Sequence, residues 1–133
     1  MIFIDTGPFI AKYFVHDQFH KKSLSIWGKL EKSEEALITS NFVLDEVFTL
    51  LARKSYYEFA SEKANIIYNS NVIEILRPTH DVELAALRYF KKFSDQQVSF
   101  TDCISFQLMK DHRLDKVFTF DKHFQLAGFK VIS

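Results

Sequence analysis

The chain has 133 residues, 47% of them hydrophobic and 26% charged, with 15 Phe. That is the make-up of one globular domain, spanning 1–133, which buries about two-thirds of its unfolded surface in an aromatic core. Basic and acidic side chains number 17 each, which excludes the global positive field typical of a nucleic-acid binder. No apolar run approaches the roughly 18 residues of a membrane span, and no basic region precedes the first apolar residues, so the expected address is the cytoplasm with no membrane partner.

In chain order, "MIFID" reads as a strand broken by "TGP", where Pro8 suits the first turn of a helix over "PFIAKYF". A second helix over 18–33 places Leu24, Trp27 and Leu30 on one side, ahead of the strand "ALITS". Ser40 or Asn41 then caps the helix "FVLDEVFTLLARK", whose basic end suits the helix dipole. "YYEFASEKANIIYNS" has helical apolar spacing, and "VIEIL" is a β-branched strand stopped by Pro78. A helix over 80–93 carries Val82, Leu84, Ala85, Leu87 and Phe90, and another runs from Ser99 to about Lys110. "KVFTF" and "FKVIS" close the series as strands. Strands separated by helices imply parallel crossovers, hence an α/β three-layer domain with a central parallel sheet of about five strands. The single cysteine, Cys103, lies among apolar residues and reads as a small core side chain.

In open parallel sheets, ligands gather beyond the carboxyl ends of the strands. Asp5 ends the first strand, Asp121 follows "KVFTF", Asp102 lies in the first turn of a helix, and Glu46 sits within the helix after the second strand. Each has an ordinary alternative. Asp5 can cap a helix, Asp121 can begin a turn, and Asp102 fits the [ST]-x-x-[DE] capping box with Ser99. Glu46 can be a solvated helix residue, but it shares its side with Phe42, Val43 and Leu50, whereas Asp45 lines up with Thr49 and Ala52; Glu46 is the acid that points inward. "DTG" after "FI" also matches the loop of aspartic proteases, an all-β fold that the helical periodicity here contradicts.

If the four acids converge, their repulsion demands protonation or a cation, and oxygen ligands select Mg²⁺ or Mn²⁺ over Zn²⁺. Sequestering four acids leaves 17 basic against 13 acidic side chains elsewhere, enough to hold phosphates locally. The candidates are Arg53, Lys54, Arg88, Lys91, Lys92 and Lys122. Thr6, Ser40, Ser99, Thr101 and Thr119 flank the acids and can orient carboxylates or hold water, although hydroxyls also cap helices. His123 has no second histidine beside it and reads as exposed or phosphate-facing; Asp95 reads as a loop or outer residue.

"MIFIDTGPFIA", "ITSNFVLDEVFTLL", "VSFTDCISF" and "VFTFDKHFQLAGFKVI", in this order and spacing, resemble the motifs of PIN-domain ribonucleases, most closely the VapC-type toxins of toxin-antitoxin pairs. The resemblance implies a five-stranded parallel sheet and a metal-dependent ribonuclease. Asp5, Glu46, Asp102 and Asp121 would form its metal site, with Thr6 and Thr119 as supporting hydroxyls. It also implies Mg²⁺ or Mn²⁺ dependence, homodimerisation and inhibition by a small antitoxin protein. Surplus aromatic residues in "SYYEFASEKANIIYNS" suggest that region for the dimer contact. A non-catalytic metal- or RNA-binding module would carry the same acids, as would a receiver-like phosphoacceptor, which also needs a lysine that Lys12 or Lys122 is poorly spaced to provide.

Overall fold

The computed structural model describes residues 1–132. Strands β1 (Ile2–Ile4), β2 (Leu37–Ser40), β3 (Ile73–Leu76), β4 (Lys116–Phe118) and β5 (Lys130–Ile132) form one parallel sheet in the order β3-β2-β1-β4-β5. The helices among the described residues are α1 (Thr6–Tyr13), α2 (His20–Lys32), α3 (Asn41–Lys54), α4 (Tyr57–Tyr68), α5 (His80–Lys92), α6 (Phe100–Asp111) and the short α7 (His123–Leu126). Residues of β1 and β2 are buried throughout, as expected of central strands covered on both faces. The edges are blunted by exposed charges, Glu74 on β3 and Lys130 on β5.

Successive strands step from β1 outward to β3, and the chain then returns to the other side of β1 for β4 and β5. Between β1 and β4 the loops at the carboxyl ends therefore diverge and leave a crevice, the usual ligand position in such sheets. Register pairs Ile4 with Phe118, which sets Asp5 beside the loop after β4; the Asp5 N–H donates to the Phe118 carbonyl at 3.0 Å.

The core is aromatic, with Phe3, Phe9, Phe106, Phe118 and Phe124 fully buried. Phe106 packs edge-on against Tyr89, Phe93 and Phe124. Its helix, α6, is buried nearly all round from Asp102 to Met109, so the same packing that seats Phe106 also buries a carboxyl group in the helix's first turn. Cys103 is fully buried, and desolvation followed by the nearby Asp102 charge pushes its thiol up to about 11, which removes it from thiolate chemistry.

Several elements differ in detail from the sequence reading. Helix α1 starts at Thr6, two residues before Pro8, and α2 starts at His20; the buried face of α2 is Ser23, Ile26, Trp27 and Leu30, leaving Leu24 exposed. Ser23 Oγ and Trp27 Nε1 both donate to the Pro8 carbonyl, at 2.9 and 3.1 Å, and this anchor fixes the rotation of α2. On α5 only Ala86 is fully buried, while Leu84, Leu87 and Phe90 remain about half exposed. No described helix is long and apolar enough to cross a membrane.

Candidate active site

Asp5, Glu46, Asp102 and Asp121 line one cavity of about 640 Å³ at the carboxyl end of β1. Each arrives for a local reason. Asp5 occupies the N-cap position of α1, yet its side chain makes no capping bond; instead Oδ2 accepts from the Thr119 hydroxyl at 2.8 Å. Thr119 is fully buried, and its Oγ1 also accepts from the Asp121 N–H at 2.9 Å, so one hydroxyl ties the loops after β1 and β4 together. Asp121 forms a turn, with Oδ1 accepting from the His123 N–H at 2.9 Å. Ser99 supplies the cap of α6 by accepting from the Asp102 N–H at 3.0 Å, which leaves the Asp102 carboxylate on the cavity wall. Glu46 faces the cavity from α3, and its neighbour Asp45 is exposed, as the helical spacing requires.

The other hydroxyls divide. Thr6 and Ser99 line the cavity, and Thr119 lies just behind it. Ser40 is buried as the cap of α3, accepting from the Val43 N–H at 3.1 Å, and does not line the cavity. Thr101 also lies outside the lining; it precedes Asp102 by one residue and so points about 100° away around the helix. Of the six basic candidates, Lys122 borders the acidic cavity. Arg53 lines a separate groove between α3 and α4, Lys91 lines one beside α5, and Asp95 is exposed outside the site.

His123 departs from the sequence expectation. Its ring turns inward, with Nδ1 3.1 Å from Asp121 Oδ1 and 3.4 Å from Asp102 Oδ2 and a side chain 15% exposed. Asp102, Asp121 and His123 each offer a ligand atom within 4.8 Å of the others. The local signal was the "DKH" turn itself: the Asx bond from Asp121 to the His123 N–H folds the histidine back over the acids. A lone histidine does not advertise that in sequence.

Electrostatics mark the cluster as incomplete. Burial, then the Asp102 charge, raises Asp5 to about 8, with Asp121 adding to the effect and the Thr119 hydrogen bond opposing it. Burial, then Asp121 and Glu46, raises Asp102 to about 7, with hydrogen bonding from Ser99 opposing. Thr6 Oγ1 is buried at the cavity wall without a hydrogen-bond partner among the described residues. Crowded carboxylates, one imidazole and an unengaged hydroxyl form an oxygen-rich donor set that fits a hard divalent cation.

The PIN-domain family profile matches residues 2–130. The chain belongs to the PIN-domain family. It is 31% identical over 129 residues to the 23S rRNA-specific endonuclease VapC20 of two Mycobacterium tuberculosis strains, an alignment covering 97% of this chain and 95% of that protein. The crystal structure of M. tuberculosis VapC20, described as a sarcin-ricin loop cleaving toxin, superposes with a TM-score of 0.89 at 29% identity, covering 98% of this chain and 97% of that one. A toxin-antitoxin complex from Klebsiella pneumoniae shares the fold alone, with a TM-score of 0.63 and 15% identity over 100% of this chain and 97% of that one. The five-stranded parallel sheet expected from sequence is thus the PIN sheet.

Proposed function

We propose that this PIN domain, spanning 1–133, is a VapC-type ribonuclease that hydrolyses RNA phosphodiester bonds in the acidic cavity with Mg²⁺ or Mn²⁺. The observation that carries the reading is the convergence of four carboxyl groups, two of them buried with raised pKa values, at the sheet crevice of a chain 31% identical to a named endonuclease. Asp5, Glu46, Asp102 and Asp121 would hold the cation, and His123 would offer a ring nitrogen beside Asp102 and Asp121. A cation bound there would supply Lewis acidity toward the phosphodiester and the attacking water.

The chain's own groups set the rest. Thr119 fixes the Asp5 carboxylate through its 2.8 Å bond, so the acid does not have to be ordered as the substrate arrives. The Thr6 hydroxyl has its hydrogen-bonding capacity free for a phosphate oxygen or water. Lys122 at the cavity mouth offsets phosphate charge. On the same reading the protein is the toxin of a pair, acting in the cytoplasm and silenced by a small antitoxin. It works as a homodimer, using the exposed Tyr56, Tyr57, Ile66 and Tyr68 in and beside α4.

Cleavage of end-labelled RNA, including a sarcin-ricin-type hairpin and a scrambled control, tests the activity in Mn²⁺ and in EDTA. Cutting only with the cation is expected. Binding without cutting in Mn²⁺ and Mg²⁺ would identify a non-catalytic module instead. Sedimentation at micromolar concentration tests assembly, and a monomer there contradicts the dimer.

A further inference from the structure

The wall between the acidic cavity and its neighbour is an aromatic stack that the four acids do not explain. Phe19, from the turn before α2, lies nearly parallel to Phe120, from the loop after β4, with centroids 4.5 Å apart and planes at 12°. Both are only half-buried. Phe120 also forms a T-shaped pair with the buried Phe118, their centroids 5.6 Å apart. Phe19, Phe120, Asp121 and Lys122 line the acidic cavity and also a second cleft of about 210 Å³. The second cleft adds Lys22, so it holds two lysines against one shared carboxylate, Asp121.

Asp5, Glu46 and Asp102 line the first cavity alone and Lys22 the second alone, while the two Phe rings, Asp121 and Lys122 border both. We infer that the Phe19–Phe120 stack is a platform for an unpaired RNA base next to the scissile position, and that the Lys22–Lys122 cleft holds the following backbone phosphate. The inference rests on the ribonuclease reading. An RNA strand carries a flat π face and an anionic phosphate in each repeat. Aromatic rings stack on any base, and cations follow the backbone. Because the two cavities share four lining residues, a strand with one phosphate at the acids passes over the rings before reaching the lysines. A duplex keeps its base faces stacked internally, so the platform selects a loop or a splayed-out nucleotide.

The test is a coupling experiment on the full chain. Single-stranded oligoribonucleotides, each with one abasic residue at a different position, are compared with the unmodified strand on wild type, Phe19→Leu and Phe120→Leu. Cleavage is followed in Mn²⁺, and binding by anisotropy uses the same changes placed in an Asp102→Asn background. At one position adjacent to the cut, removing the base from wild type raises KM and Kd about five- to hundredfold. Either Phe variant loses a similar factor on intact RNA and no more on that abasic strand, whereas Phe19→Trp restores binding. Lys22→Ala and Lys122→Ala each lower the slope of log K against log salt by about 1.

A stack that only holds two loops together gives losses that add at every abasic position and no rescue by Trp, and that result overturns the inference while cleavage continues. If Phe120→Leu unfolds, the two variants at the half-buried Phe19 carry the test. Coupled binding without cation-dependent cleavage would instead overturn the ribonuclease reading and leave the platform in place. Absence of any RNA binding overturns both.

Discussion

The two ends of the sheet treat carboxylates in opposite ways. At the amino ends, Glu35 precedes β2 and pairs with Lys116, the first residue of β4, and with the amino group of Met1. Hydrogen bonds from Lys116 and that amino group hold its carboxyl down at about 2. At the carboxyl ends, burial and then the Asp102 charge raise Asp5 to about 8, and burial and then the Asp121 and Glu46 charges raise Asp102 to about 7. One end supplies its own cations and is electrostatically closed. The other gathers acids around a cavity with a lysine only at its mouth, an arrangement that folding alone does not reward. Carboxylates that a chain crowds without neutralising mark the functional end of a domain; paired ones mark the structural end.

The largest effect that sharpens this contrast is on turnover. On the proposed reading, Asp5→Asn and Asp102→Asn each lower RNA cleavage by at least about a hundredfold, because each would remove charge from the site that holds the cation. Circular dichroism of both variants stays native. Cleavage at the wild-type rate in both would erase the distinction between the two ends.

Next comes the link between cation and stability. A saturating cation at about 100 times its Kd stabilises the wild type by about 2.7 kcal/mol, and the shift shrinks in Asp102→Asn. Without cation, that variant is as stable as wild type or more so, since Ser99 already caps α6 and the substitution relieves repulsion. Equal Mn²⁺-induced shifts in the two proteins, measured by thermal unfolding, would reduce Asp102 to a helix-terminal residue.

The same acids fix a pH window. Below about pH 4 they are protonated in both the folded and the unfolded chain. Between pH 4 and 8 the unfolded chain releases protons that folded Asp5 and Asp102 retain, so cation-free stability falls across this window and levels off above it. Saturating Mn²⁺ favours the ionised carboxylates and removes the fall. Urea midpoints from pH 4 to 8, with EDTA and with Mn²⁺, measure both slopes; a rising cation-free slope attributable to Asp5 or Asp102 contradicts the assignment.

Thr119→Val tests the hydroxyl that holds the crowded end together. It removes the donor to Asp5 and leaves the Asp121 N–H without its acceptor, for a loss of about 1–3 kcal/mol, together with slower cleavage. Chemical denaturation of the cation-free protein reads the first effect. Unchanged stability and activity would show that the bridge positions nothing.

What was legible in the sequence follows the range of the interactions. An apolar run ending in Asp locates Asp5, the capping box locates Ser99 and Asp102, and helical spacing separates Glu46 from Asp45. These are relations within a few residues. The Asx bond from Asp121 turns His123 locally, but the acid its ring then meets, Asp102, lies 21 residues earlier, and the Phe19–Phe120 stack joins two distant loops. The rotation of α2, which exposes Leu24, is set by bonds to Pro8 rather than by its own apolar pattern. The Glu35–Lys116 pair spans 81 residues and has no local signature.

That pair provides the smallest effect and the opposite sign. Glu35 is open to solvent, so screening keeps its contribution minor despite the depressed pKa. Its stabilisation is complete above the ordinary carboxylate range and is lost as the pH falls from about 4.5 through about 2, where the folded carboxyl finally protonates. Glu35→Gln removes that acid-side dependence, costs a little stability at neutral pH, and leaves the Mn²⁺-induced shift and RNA cleavage unchanged. The difference between wild-type and variant urea midpoints from pH 2 to 7 isolates it, because contributions common to both proteins cancel. A pair that belongs to the sheet alone must be silent in the cation titration. A changed Mn²⁺ response in Glu35→Gln would mean that the two ends communicate through β1 and β4, and the division between a closed structural end and an open functional one would fail.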